Sequence, residues 1–163
     1  MKSNFKITSF LLVLFINFLV GVLFWTIFIK AGMRIFEYEF WTYKPLILLL
    51  IILLEIFAVS LILQLKSITI EKDKVIFKNL IFPFLKKERL FSYYDFSKTV
   101  DEQSKSGSYE SLWLFKNGKL ENQISSFYYA NYTKLKIELK VQHKGKLKIN
   151  SFKKIYYKLG GKL

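Results

Sequence analysis

Two long apolar runs constrain this chain more than any other feature of it. Residues 7–29, ITSFLLVLFINFLVGVLFWTIFI, carry no charge, and residues 45–65, PLILLLIILLEIFAVSLILQL, carry one, Glu55. A helix rises ~1.5 Å per residue, so either run outreaches the ~30 Å hydrocarbon core of a bilayer. Neither has the polar stripe by which a soluble helix meets water. A signal peptide has a shorter apolar core and a small-residue cleavage site, whereas Lys30-Ala31-Gly32-Met33-Arg34 leads into bulky aromatics. The sequence therefore predicts two transmembrane helices, about 7–29 and 45–65, forming a membrane hairpin over residues 1–65.

Orientation follows from the basic residues near the helix ends. Lys2 and Lys6 precede the first run, and Lys66, Lys72, Lys74 and Lys78 follow the second. Only Lys30, Arg34 and Lys44 lie between, diluted by Glu37 and Glu39. This bias predicts a multi-pass protein of the cell (inner) membrane with both termini cytoplasmic. Phe36, Tyr38, Phe40, Trp41 and Tyr43 suit a connecting loop at the headgroups. Asn17 lies ten residues in from Ile7 and Glu55 ten in from Leu65, which puts them at matched depth in an antiparallel hairpin. A carboxylate there needs a proton or a partner. Either a neutral Glu55 bonds Asn17 or a second copy of the chain, or the pair serves a relay or meets a larger membrane partner.

From Lys66 the pattern changes to a basic, β-rich domain expected over 66–145. Ser67-Ile68-Thr69-Ile70-Glu71 alternates, Lys72-Asp73 makes a turn, and Val75 to Leu80 resumes, which is a hairpin signal. A bend containing Pro83 and the cluster Lys86-Lys87-Glu88-Arg89 follow. Leu90 to Phe96 again reads as strand, and residues 101–108, DEQSKSGS, as an exposed loop. Ser111 to Lys116 and Lys119 to Ile124 flank Asn117-Gly118, the strongest short-range hairpin mark, because both turn residues must accept positive φ. Lys134 to Val141 alternates like a strand. Asn131 as an N-cap and the shared helical face of Tyr132, Leu135 and Leu139 favour a helix there instead. Residues 146–163 form a basic tail in which Ser151 caps a short amphipathic helix lined by Phe152, Ile155, Tyr156 and Leu159 and stopped by Gly160-Gly161.

Two membrane helices, about five short antiparallel strands and a capping helix form a pattern that resembles the small bacterial pleckstrin-homology-like (PH-like) domains joined to membrane hairpins. The matching features are SITIEKDKVIFKN, ERLFSYYDF, WLFKNGK and SFYYANYTKLK, within about residues 68–142. The resemblance implies an α+β domain: a bent antiparallel sheet or open barrel closed by one C-terminal helix. That fold hosts lipid, peptide and protein binding alike, so it does not name a function.

Residue chemistry argues against an enzyme. Cysteine is absent, which removes disulfides, thiolate nucleophiles and cysteine–zinc sites. His143 has no second imidazole to share a metal with, and there is no nucleophile elbow or phosphate-cradling glycine loop. Asp95, Asp101 and Glu102 read as a solvated face beside Lys98 and Lys105. No catalytic residue, cofactor or metal is expected. The chain carries 26 Lys plus Arg against 12 Asp plus Glu, a formal +14, and only Arg34 and Arg89 are arginine. With ten lysines against Glu138 alone from Lys134 onward, the basic surface is the one feature with functional weight. Nucleic-acid binding lacks a signature and is not expected. The expected function is a non-enzymatic, membrane-anchored PH-like module. It binds a protein partner or a second copy of itself next to the cytoplasmic leaflet. Its contacts to anionic lipid headgroups are Lys66, Lys78, Lys86, Lys87, Arg89, Lys144, Lys146, Lys148, Lys153 and Lys154. The alternative is a small accessory or immunity-type subunit acting through Asn17 and Glu55.

Overall fold

A computed structural model describes residues 1–26, 45–104 and 107–163. The expected loop between the apolar runs, with Lys30, Arg34, Glu37, Glu39 and Lys44, lies outside the described residues. The chain divides into two compact units, one of residues 7–65 and the other of residues 1–6 with 66–163.

The apolar unit holds helices α1 (Ile7–Trp25) and α2 (Pro45–Gln64). By length and composition α1 is apolar enough to cross a membrane, with a mean hydropathy of 2.6, and it is the one such helix among the described residues. The two helices pack together. Val13 and Val20 on α1, and Ile51 and Ala58 on α2, are buried, and each pair is seven residues apart. Seven residues are two helical turns, so each pair marks a straight seam on its helix. Many of the other described apolar side chains, such as Phe15, Phe18, Leu53 and Phe57, face outward.

The second unit is α+β. Three strands, β1 (Lys66–Ile70), β2 (Lys74–Asn79) and β3 (Lys86–Leu90), form one antiparallel sheet. Four more, β4 (Phe96–Ser104), β5 (Gly107–Lys116), β6 (Lys119–Ser125) and β7 (His143–Lys146), form another in the order β6-β5-β4-β7. Both anticipated hairpins are present. In the second, Asn117 and Gly118 have φ of 51° and 74°, the paired positive values a two-residue turn needs.

β5 explains why one stretch of this sequence is so apolar. Leu112 and Leu114 face one way, into a core with Ile68, Ile70, Val75 and Phe77 of the first sheet and Ile124 of β6. Trp113 and Phe115 face the other way, into a smaller core with Val100, Phe96, Leu147, Ile149 and Tyr157. A strand buried on both faces cannot alternate, hence Leu112-Trp113-Leu114-Phe115. Helix α3 (Tyr132–Glu138) closes the first core with Tyr132 and Leu135, so the helical face outweighs the alternating period here. Helix α4 (Ser151–Lys158) lies against the second core through Tyr157, whose ring meets Trp113 edge-on at 6.3 Å.

Several expectations are corrected. Seven strands are described, not about five. Residues 101–108 are mostly strand rather than loop, because β4 and β5 pair out to Ser104↔Gly107. The polar side chains of the described residues face solvent or polar groups of neighbouring strands, as where Gln123 of β6 donates to Glu102 at 2.9 Å, so pairing overrides weak β propensity. Leu90–Phe96 is not one strand: Phe91–Tyr93 is a 3-10 turn that buries Phe91 and Tyr94 on its way to β4. The cap of α4 is Asn150, not Ser151, and its side chain accepts from the Lys153 N–H at 2.9 Å.

Candidate functional site

The residue positions that matter are set by how the chain enters and leaves the α+β unit. Met1 to Ser3 run antiparallel to β1 as an extra edge segment. The Ser3 N–H donates to the Ile68 carbonyl at 2.7 Å, the Ile68 N–H donates to Ser3 Oγ at 2.8 Å, and the Ile70 N–H donates to the Met1 carbonyl at 2.6 Å. The Met1 ammonium donates back to the Ile70 carbonyl. Asn4 to Lys6 then cross to the turn after β6: Ala130 N–H donates to Asn4 O at 2.8 Å and Lys6 N–H to Tyr128 O at 2.7 Å. Phe5 stacks on Tyr128 at 5.7 Å and meets Tyr129 edge-on at 5.4 Å.

Asn131 holds this segment. It stands at the start of α3 but makes no cap hydrogen bond. Its Oδ1 instead accepts from the Asn4 N–H at 2.7 Å and its Nδ2 donates to the Lys2 carbonyl at 3.0 Å. The expected capping role is thus replaced by a clasp on the N-terminus, because a side-chain amide can satisfy an extended backbone on both its donor and acceptor sides.

Since the N-terminal segment is antiparallel to β1, its last residue, Lys6, lies at the end of the sheet where β1 begins at Lys66. Tyr129 confirms the closeness, donating from its hydroxyl to the Lys66 carbonyl at 2.6 Å. The register Lys66↔Asn79 then brings β2 back to the same end, and the chain turns there through Leu80-Ile81-Phe82-Pro83-Phe84-Leu85 into β3, whose Lys86 pairs with Lys78. One edge of the unit therefore carries both junctions to the apolar segment and the 80–85 turn.

Four of the expected basic residues, Lys66, Lys78, Lys86 and Lys87, collect at this edge. Burial, and then the neighbouring Lys87 charge, push the Lys66 ammonium below the usual lysine range. Lys86 is partly compensated by Glu88 at 3.2 Å. A pocket of about 320 Å³ opens beside them, lined by Lys2, Ser3, Phe5, Ser67, Lys78, Asn79, Leu80 and Pro83. Arg89 lies further along β3 opposite Val75, its guanidinium 4.9 Å from the Tyr93 ring centre. The other five lysines belong to β7, α4 and the link between them. Lys144 sits over the Phe96 ring at 4.6 Å, Lys146 pairs with Asp101 at 2.5 Å, and Lys154 donates to the Asp101 carbonyl at 2.8 Å. Lys148 and Lys153 are exposed.

Asn17 and Glu55 of the apolar unit go separate ways. Asn17 donates its amide to Val13 O of its own helix at 2.8 Å. Glu55, half exposed on α2, makes no hydrogen bond or ion pair with another described residue.

One pairing has the residue types of acyl-transfer chemistry: Ser97 Oγ and His143 Nδ1 are 3.3 Å apart. Ser97 is only 3% exposed and its hydroxyl also reaches the Gln142 carbonyl at 3.4 Å, so the contact ties β7 to β4. Glu110 has partners of a structural kind. Burial pushes its carboxyl up, but bonds from Lys136 at 2.8 Å and Tyr132 at 2.7 Å leave it below the usual glutamate range. Among the described residues no group of three or more His, Cys, Asp or Glu could hold a metal ion.

Sequence reasoning missed the N-terminal strand, the Asn131 clasp and the place of the 80–85 turn. For the turn a signal existed, an uncharged apolar run closed on both sides by lysine. Fold and edge together define an α+β domain that carries an apolar N-terminal helix. Comparison with protein-family models, with curated proteins and with solved structures finds no match to this chain.

Proposed function

We propose that this chain is a membrane-anchored, non-enzymatic binding module of PH-like architecture, held at the cytoplasmic leaflet with its lysines against anionic lipid. One observation carries the reading: the chain leaves the α+β unit at Lys6 and returns to it at Lys66 on the same edge. If α1 spans the bilayer, a second crossing must bring the chain back. α2, with 20 helical residues, is long enough at ~1.5 Å per residue to supply it. Both termini then share a face, and the lysine bias selects the cytoplasmic one. Lysines within a Debye length of anionic headgroups contribute ~1 kcal/mol each. The division of strands into sheets of three and four, with α3 over the core, supports the PH-like reading.

A protein partner is assigned to the 134–158 face. Phe152 of α4 and Leu159 just after it are both 83% exposed there, while Tyr157 on the opposite side of the helix holds it to the domain. The chain has no cysteine, so single-cysteine variants Lys2→Cys and Lys162→Cys report topology directly. An impermeant maleimide should label both in inside-out vesicles and neither in right-side-out vesicles. Labelling of the two positions from opposite faces sinks the proposal.

A second reading, an accessory subunit acting within the bilayer, is favoured by Glu55, whose carboxyl lacks a partner among the described residues. Loss of function in Glu55→Gln at unchanged protein level supports that reading, and a silent variant removes it.

A further inference from the structure

We infer that the turn Leu80–Leu85 is a membrane-inserting wedge, an apolar tip ringed by lysines that enters the headgroup region of an anionic bilayer. This rests on the membrane-anchored reading and deepens it, by naming the element that meets lipid and the part of it that leaves water. Four observations support the inference.

The tip is apolar and outward. Phe84 is 80% exposed, Leu85 44% and Leu80 39%, and Pro83 is exposed as well. The turn contains no charged or hydrogen-bonding side chain, so nothing in it resists leaving water.

The tip is also built rather than left loose. Asn79, only 3% exposed, turns its Oδ1 to the N–H groups of Ile81 at 2.9 Å and Phe82 at 2.8 Å. Backbone bonds from Asn79 N–H to Leu85 O at 3.0 Å and from Leu85 N–H to Phe82 O at 2.9 Å close it. These peptide groups are thereby paired within the protein, which a segment entering a low-dielectric layer requires.

The charge around it matches one occupant. Lys66, Lys78, Lys86 and Lys87 surround the turn, with Lys2 and Lys78 lining the adjacent pocket, and the single acid among them is Glu88. Apolar centre and lysine rim are the composition of an interfacial membrane element. Finally, the turn shares its edge with Lys6 and Lys66, the residues whose next neighbours, Ile7 and Leu65, belong to the apolar segment. The wedge is therefore continuous with the point of anchorage, and a bilayer rather than a distant protein is its occupant.

The test uses the full chain in liposomes of phosphatidylcholine with phosphatidylglycerol. Single cysteines at Phe15→Cys in α1, Phe84→Cys at the tip, and Asp73→Cys in the turn at the opposite end of the same sheet carry an environment-sensitive fluorophore. Expected is blue-shifted emission and loss of iodide quenching at 15 and 84, with full quenching at 73. Protection at 15 with equal quenching at 84 and 73 overturns the wedge and leaves the anchored reading standing. Quenching at 15 overturns both. Protection at all three positions points to burial by a second copy of the chain or general immersion, and overturns the wedge as a specific element.

Discussion

Replacing Asn79 by alanine tests the physical premise beneath the wedge, that one buried amide holds the turn in shape. The substitution removes the Oδ1 that accepts from the Ile81 and Phe82 N–H groups at 2.9 and 2.8 Å. Each such bond is worth about 1 kcal/mol net, and more where the donor left behind is shielded from water. Both donors are part-buried, so the loss is about 2–3 kcal/mol. For a domain of this size about 1 kcal/mol moves Tm by roughly 4–8 °C, so the midpoint should fall by roughly 8–24 °C. The assay is thermal unfolding of the full chain in detergent, with hydrogen exchange at amides 81 and 82 alongside. Asn79→Asp, which keeps an acceptor for both N–H groups beside Lys66 and Lys78, should hold most of the stability and the protection. The premise is wrong if the alanine variant melts within about 2 °C of the parent with both amides still protected. It is also wrong if Asp is as damaging as Ala, since shape rather than acceptance would then matter.

Asn131→Ala should release the N-terminal segment while leaving α3 intact, because the amide's bonds go to Asn4 and Lys2 and not to the helix. The expected cost is about 1–2 kcal/mol; exchange at amides 3–6 should speed up while amides within α3 stay as in the parent, and the reverse pattern refutes the clasp. The Asp95 carboxyl lies below its usual value, held there first by Lys116 and then by the Asn117 N–H. A carboxyl lowered by folding stabilises above its unfolded value near 3.8 and stops doing so as pH falls through the lower folded value. The parent should thus lose stability through this group as pH drops below about 4, and Asp95→Asn should flatten that part of the pH–stability curve. An unchanged acid limb in the variant means the Asn117-Gly118 turn does not draw on this carboxylate.

Features that rest on near neighbours were legible in the residues alone. The hydrophobic runs that became α1 and α2 need only length and a near absence of charge, Glu55 being the one exception, to be read. The turn at Asn117-Gly118 announces itself because both residues take positive φ, and the one at Lys72-Asp73 because two polar residues interrupt alternating runs. The face of Tyr132 and Leu135 was legible as helix for the same local reason. The concentration of lysine was countable, and four of its members did gather at one edge.

The other features depend on partners far away in the chain and emerge only once it is folded. Met1 to Lys6 look like a short tail before an apolar helix, yet Met1 to Ser3 complete the edge of a sheet whose first strand begins at Lys66, and Asn131 holds the segment instead of capping α3. Residues 101–104 have loop composition but are strand, since the pairing with β5 satisfies their backbone whatever their side chains prefer. No periodicity reveals that β7 runs parallel to β4, or that Phe152 of α4 and Leu159 just after it turn to solvent. The apolar turn 80–85 shows the division best. Its composition was readable from the start, but only the register Lys66↔Asn79 places it beside the junctions to the apolar segment, where that composition acquires a use.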